Sequence, residues 1–322
     1  MNSKLLITVL LSLLIGGCKS DDDDDTSVER SWRAEFLVPD ATNPLLSPDG
    51  SEFLFLRDGE GLFLWHDGVE TPVTPEGVTA RPDFSWSVSG ESLFAFSVPG
   101  LPGGEAGIFV SGMGGTLTQI WDRGSSPVYD AAHGYVYAAG PETSETESGI
   151  WRLSTVLDTF PLRLTETGTS PQLGDSVSTL AYLGPVPASN GATLTARSLT
   201  DLSLLSETPF VSRFQIAKES SYMLVEIVVS SEGLAMPPAV YKMTVTTPQT
   251  MTLIAHPATH MALLDDGSIL FNRLEGDQFG ALVLHTNDDE YVLSDTLFAA
   301  NANLPVAILA VGLSGITRLT EN

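Results

Sequence analysis

Ser47-Pro48-Asp49-Gly50-Ser51-Glu52-Phe53-Leu54-Phe55-Leu56 is the stretch that decides the fold. Its Asp-Gly pair supplies the positive φ angles of a tight hairpin turn. The turn lies between a short strand candidate, residues 43–47, and an apolar one, residues 53–56; residues 62–66 and 71–74 follow as two more. The pattern then returns along the chain. Ser87-Val88-Ser89-Gly90 leads into Leu93-Phe94-Ala95-Phe96, and Ala132-His133-Gly134 into Tyr135-Val136-Tyr137. Gly174-Asp175 precedes residues 177–182, Glu219-Ser220 precedes 222–229, Asp265-Asp266-Gly267 precedes 269–271, and Asn303-Leu304-Pro305 precedes 306–311. With Gly50, Gly90, Gly134, Asp175, Ser220, Gly267 and Pro305 as markers, the spacings are 40, 44, 41, 45, 47 and 38 residues. Recurrence at one period implies a repeat architecture.

Four strand candidates per repeat of about 40–45 residues describe the blade of a β-propeller. The second and third strands are apolar on both faces, as in Leu62-Phe63-Leu64-Trp65 and Ala281-Leu282-Val283-Leu284. Strands covered on both sides by neighbouring blades read that way, whereas a two-sheet sandwich alternates more cleanly. The last repeat has room for three strands, near 298–301, 306–311 and 315–319, before the chain ends at Asn322. A fourth is available at the front, in Glu35-Phe36-Leu37-Val38. The expectation is an all-β, seven-bladed β-propeller over residues 33–322, its ring closed by that N-terminal strand. Six or eight blades are the alternatives.

The chain has 40 acidic and 15 basic residues, a formal charge of -25. Phosphate recognition needs clustered Lys and Arg, so nucleic acid is not an expected partner. The lone cysteine, Cys18, excludes an internal disulfide framework and a Cys-based zinc cluster.

Cys18 follows a basic start, residues 1–4, and an apolar run, residues 5–15, that is too short for an ordinary spanning helix but suits a signal peptide. Ile15-Gly16-Gly17-Cys18 resembles the lipobox of bacterial lipoproteins. That resemblance implies cleavage between Gly17 and Cys18, acylation (palmitate among the acyl groups) of Cys18, and a membrane anchor through the N-terminal lipid. Residues 1–17 are then the signal peptide and residues 18–32 an acidic tether. Lys19, in place of the Asp that retains lipoproteins in the inner membrane, implies the outer membrane with the chain facing the periplasm; the cell surface is the alternative. The block Asp21 to Asp25 reads as a solvated spacer, or as the acidic stretch that directs some lipoproteins to the surface. Thr26 and Glu29 have capping-box spacing, consistent with a short helix up to Trp32.

Residues 47–50, with the apolar run behind them and the Arg57-Asp58-Gly59 turn, resemble the WD40-like repeat of TolB-type propellers. The first repeat carries the motif in full, and the second and sixth keep fragments. The resemblance implies the propeller fold. It leaves no room for the separate N-terminal domain of TolB, so TolB's own role is not implied.

No residue pattern marks a catalytic centre, a cofactor site or a metal site. Asp49-Gly50 and Asp266-Gly267 read as hairpin turns rather than acidic sites. His256 and His260 have the spacing of zinc ligands on a helix, but Pro257 and the strand pattern oppose a helix. Asn287-Asp288-Asp289-Glu290 lacks the spacing of a calcium loop. No nucleophile elbow or phosphate-binding loop is present. His66, His133, His256, His260 and His285 are scattered, and Trp65 and Trp151 read as core.

Loop length is the informative asymmetry. In an up-and-down blade the loops between second and third strands share one face with the blade connections, and here they are the long ones: residues 98–106, 140–148, 184–191, 230–238 and 275–280. Long loops gathered on one face are where binding is grafted. The candidate binding residues are Leu101, Pro102, Leu234 and Met236, with Glu142, Glu145 and Glu147 on an acidic loop. The functional expectation is a non-catalytic, lipid-anchored binding or scaffold module for a protein or glycan partner, of unspecified oligomeric state. The alternative is an envelope enzyme acting on a glycan or small molecule at the channel mouth.

Overall fold

The computed structural model describes residues 32–321 except 89–91, 100–106, 113–115, 142–145, 157–158, 175–177, 185–191, 218–220, 229, 232–233, 247–248, 265, 276–277, 287–288, 296, 304–306 and 313. The chain is all-β. β1 (Trp32–Pro39) precedes a sheet of β2 (Ala41–Leu46), β3 (Glu52–Arg57), β4 (Gly61–His66) and β5 (Val69–Pro72). The next holds β6 (Phe84–Trp86), β7 (Phe94–Val98), β8 (Gly107–Ser111) and β9 (Leu117–Trp121). The third holds β10 (Ser125–Asp130), β11 (Tyr135–Ala139), β12 (Ile150–Ser154) and β13 (Leu162–Arg163). Then come β14 (Thr169–Leu173), β15 (Thr179–Leu183), β16 (Ala192–Ser198), β17 (Leu204–Ile216) and β18 (Tyr222–Ile227). After a hairpin of β19 (Ser230–Ser231) and β20 (Leu234–Ala235), β21 (Ala239–Thr244) and β22 (Met251–Ala255) complete the same seven-stranded sheet. β23 (Ala258–Leu263), β24 (Ile269–Glu275), β25 (Gln278–His285) and β26 (Glu290–Ser294) make another four-stranded sheet. The last is β27 (Phe298–Asn303), β28 (Ala307–Gly312) and β29 (Gly315–Glu321), with β1 antiparallel on the edge of β29.

Neighbours within each sheet are consecutive in sequence and antiparallel, apart from the pairing of β1 with β29 and the step from β18 to β21 over the small hairpin. The seven-stranded sheet is two four-stranded units sharing β17. Residues 204–208 pair with β16, residues 213–216 pair with β18, and Phe210, at φ 64°, turns the strand between them. The chain thus passes from one unit to the next without leaving the ladder.

The turns form as their residues dictate. Asp49 accepts hydrogen bonds from Ser47 Oγ (2.7 Å) and the Ser51 amide (3.1 Å), and Gly50 takes φ 74°. These bonds hold the Asp49 carboxyl below its usual range, the one from Ser47 contributing most. Asp266-Gly267 repeats the device: the Ser268 amide donates to Asp266 at 2.8 Å and Gly267 takes φ 86°. Both are structural turns. β24 and β25 extend further than expected, with Glu275 opposite Gln278 in their ladder, so the anticipated long loop over 275–280 is a short hairpin.

Apolar residues on both faces of the second strands bury into different neighbours. Phe53 and Phe55 of β3 pack with Val38, Leu309 and Ile316 of the last sheet and β1, whereas Leu54 and Leu56 pack with Trp86, Phe94 and Phe96 of the next sheet. In β24, Phe271 faces Leu224 and Val240 on one side while Leu270 faces Ile308 and Ala310 on the other. Full burial of each such side chain contributes about 1.5–3 kcal/mol. Trp65 stacks on Phe53 with ring centroids 4.9 Å apart, a core role as expected.

Side chains also staple the first strand of one unit to that of the next. Gln172 donates to Phe214 O (2.8 Å) and accepts from the Ile216 amide (3.1 Å). Gln215 does the same one unit later, donating to Leu263 O (3.3 Å) and accepting from the Leu263 amide (2.7 Å). A primary amide carries both a donor and an acceptor, so it satisfies two backbone groups where no ladder forms. Trp86 Nε1 donates to Leu45 O at 2.8 Å, and the Tyr129 amide to Ser85 Oγ at 3.1 Å.

Candidate functional site

A recurrent β-bulge shapes one end of the first strands. In β2, Asn43 and Pro44 together oppose Phe55, because Thr42 pairs with Leu56 and Leu45 with Leu54. Register shifts of the same kind place Ser126-Pro127, Ser170-Pro171 and His260-Met261 in β10, β14 and β23. The leading residue is left-handed each time: Asn43 φ 51°, Ser126 52°, Ser170 49°, His260 53°. Pro fits the second place because a bulge frees its position from donating to the ladder. A bulge re-aims side chains, and Asn43 and His260 both reach the wall of one cavity.

Two carboxylates hold these bulges. Glu226 of β18, 5% exposed, accepts from Ser212 Oγ (2.7 Å), Thr259 Oγ1 (2.7 Å) and the His260 amide (3.2 Å). Asp83, just before β6, accepts from Ser97 Oγ (2.5 Å) and the Ser126 amide (2.6 Å). Each thus takes the amide of a left-handed bulge residue in the next sheet. Burial pushes the Asp83 carboxyl up from its ordinary value, against the pull of Ser97 and Ser126.

The cavity, about 420 Å³, is lined by Thr42, Asn43, Pro44, Leu45, Pro82, Phe84, Arg213, His260, Met261 and Val311. These residues come from or beside β2, β6, β17, β23 and β28, so distant parts of the chain converge there. The first strands contribute residues near their beginnings, and β28 one near its end. Strand direction therefore puts the cavity on the side that carries the loops between second and third strands. Its wall is apolar on Pro44, Leu45, Phe84, Met261 and Val311, polar on Thr42 and Asn43, and cationic at Arg213. Burial, then the charge of Arg213, holds His260 below its ordinary 6.5; Glu226 pulls weakly the other way.

Gly17, Cys18, Leu101, Pro102, Glu142 and Glu145 lie outside the described residues. Leu234 belongs to β20, and Met236 follows it, 48% exposed, on the same side of the molecule as the cavity. Glu147 lies on that side too, with its carboxylate on Arg123 and its carbonyl accepting from Trp151 Nε1 at 2.8 Å. Neither Met236 nor Glu147 lines the cavity. His256 is exposed while His260 is in β23, so the two do not share a helix face. Among the described residues, no group of His, Cys, Asp and Glu is arranged to hold a metal ion. The loop reading thus picked residues on the cavity's side of the molecule, but its candidates did not include Arg213 or His260. The available signal was their separation of one repeat, together with the Ser/Asn-Pro pairs recurring within the first strands.

No protein-family model matches the chain, and no curated protein matches it in sequence. Solved structures do share its fold. The β-propeller domain of Myceliophteria thermophila Cps50 (Swd1) matches with a TM-score of 0.59 at 10% identity, over 90% of this chain and 98% of that one. An oligogalacturonate lyase in complex with manganese matches at 0.58 and 16% identity, over 76% of each chain. TolB from Acinetobacter baumannii matches at 0.51 and 12% identity, over 68% of this chain and 55% of that one. At such identities the likeness establishes a propeller-type fold and nothing about activity.

Proposed function

We propose that the chain is a seven-bladed β-propeller, closed by β1 and anchored through a lipid on Cys18, that serves as a non-catalytic binding module in the cell envelope. The observation that carries the binding role is the cavity: it opens on the side that also holds the second-to-third-strand loops, so a pocket and its surrounding loops form one surface. Ring closure is supported by the pairing of β1 with β29 and by the joint burial of Val38, Phe53, Phe55, Leu309 and Ile316 between the two ends of the chain. The blade number is supported by the division of the long sheet at Phe210.

The anchor places the module at the outer membrane, facing the periplasm, where a protein or glycan partner meets the loop face. Leu101, Pro102, Leu234 and Met236 supply apolar contact, and Glu142, Glu145 and Glu147 an acidic rim. Replacing Leu101, Leu234 and Met236 together with Ser is expected to remove a partner that co-purifies with the protein from its own membrane. An unchanged set of co-purifying molecules overturns this reading.

A further inference from the structure

We infer that the cavity binds a small amphipathic oxyanion, whose carboxylate or phosphate head sits between Arg213 and His260 while its body packs on Phe84 and Met261. This deepens, and rests on, the assignment of the loop side as the binding face. Composition is the first argument. The chain carries 40 acidic and 15 basic residues, yet among the described residues the cavity wall holds the cation Arg213 and no Asp or Glu. A wall that reverses the bias of the whole chain is arranged for negative charge.

Availability is the second argument. Among the described residues no carboxylate forms an ion pair with Arg213, and its side chain is exposed to the cavity. Glu226, opposite Arg213 across the ladder, is engaged by Ser212, Thr259 and the His260 amide. The charge of Arg213 lowers the His260 pKa and that of Glu226 raises it, Arg213 being the larger of the two. A guanidinium offers a fork of donors that fits an oxyanion in two-point fashion. Asn43 and Thr42 add polar groups beside it.

The body of the ligand follows from the remaining wall. Pro44, Leu45, Phe84, Met261 and Val311 form an apolar surface, and about 420 Å³ lies in the range of small-molecule sites. A bare inorganic ion would leave that surface unused.

The test titrates the full chain with phenyl phosphate, benzoate and, as a neutral match, benzyl alcohol, following saturation transfer by NMR and heat by calorimetry. Both anions are expected to bind, with benzyl alcohol at least about tenfold weaker. Arg213→Gln is expected to bring the anions down to the level of the alcohol, while Arg213→Lys, which keeps the charge, retains part of the preference. The relative strength of benzoate and phenyl phosphate identifies which head the site prefers. Equal binding of alcohol and anions by the unaltered chain, or unchanged anion affinity in Arg213→Gln with an unaltered unfolding temperature, overturns the inference. Loss of the partner on replacing Leu101, Leu234 and Met236, without any anion binding, would defeat the anion site alone. Anion binding with an unchanged partner set would defeat the face assignment alone.

Discussion

Glu226 is a buried acceptor for two hydroxyls and the amide of His260. In Glu226→Ala that amide loses its acceptor, at about 1–3 kcal/mol for the buried group left unsatisfied. Urea unfolding should therefore show a lower midpoint with an unchanged slope; an unchanged midpoint would mean the bulge does not depend on this carboxylate. Among the described residues, Arg213 of β17 and Glu226 of β18 bring charge to bear on His260, and burial acts with Arg213 to disfavour the protonated ring. The depressed value fixes the sign of the linkage: this contribution to stability is complete above the ordinary 6.5 and is lost as pH falls through the folded value. An NMR titration of the imidazole should move upward in Arg213→Gln and further downward in Glu226→Gln. No movement in the first would show that the guanidinium does not face the ring. At this scale the sequence was informative where chemistry is local, as at Asp49-Gly50, and silent where it is not. Arg213 and Glu226 are ordinary strand residues until sheet packing brings His260 beside them.

The third strand of the last sheet shows how an element is accepted into a fold. Gly315 begins β29 at φ 135°, and a Cβ there would lie 2.1 Å from Val38 O of β1. Gly149, just ahead of β12, has φ 94° and the same closeness to Thr165 O, which follows β13. β1 therefore meets β29 as an outer strand meets the third strand of its own sheet. Gly315→Ala combines an unfavourable φ with a backbone clash, and is expected to cost about 2 kcal/mol or more. Hydrogen exchange should show the amides of β1 losing protection before those of β24; equal protection of both would contradict the role given to Gly315. The pairing of β1 was legible because a strand-like segment stood at one end of the chain and an incomplete repeat at the other. The bulges were less so. Reading the first strand from residue 43 began inside the bulge, and Pro44 was absorbed into the strand instead of being matched with Pro127 and Pro171.

For the molecule as a whole, repetition carried the reading. A period near 40 residues and apolar runs on both strand faces implied sheets packed face to face, and each second strand does bury alternate residues into different neighbours. What repetition cannot disclose is the feature that differs between units, and the cavity is built from such differences: Asn43 in one bulge, His260 in another, Arg213 on a strand between. Its cationic wall also opposes the formal charge of -25, which repels anions at long range, so selectivity there rests on short-range contact. The claim that this side is the binding face is tested most directly by a photo-crosslinking side chain placed at Met236 on the loop side or at Asp201 in a turn on the other, in cells making the full chain. The account predicts a discrete adduct from Met236, abolished when Leu101 and Leu234 are replaced, and none from Asp201. Adducts from Asp201, with none from Met236, would contradict it.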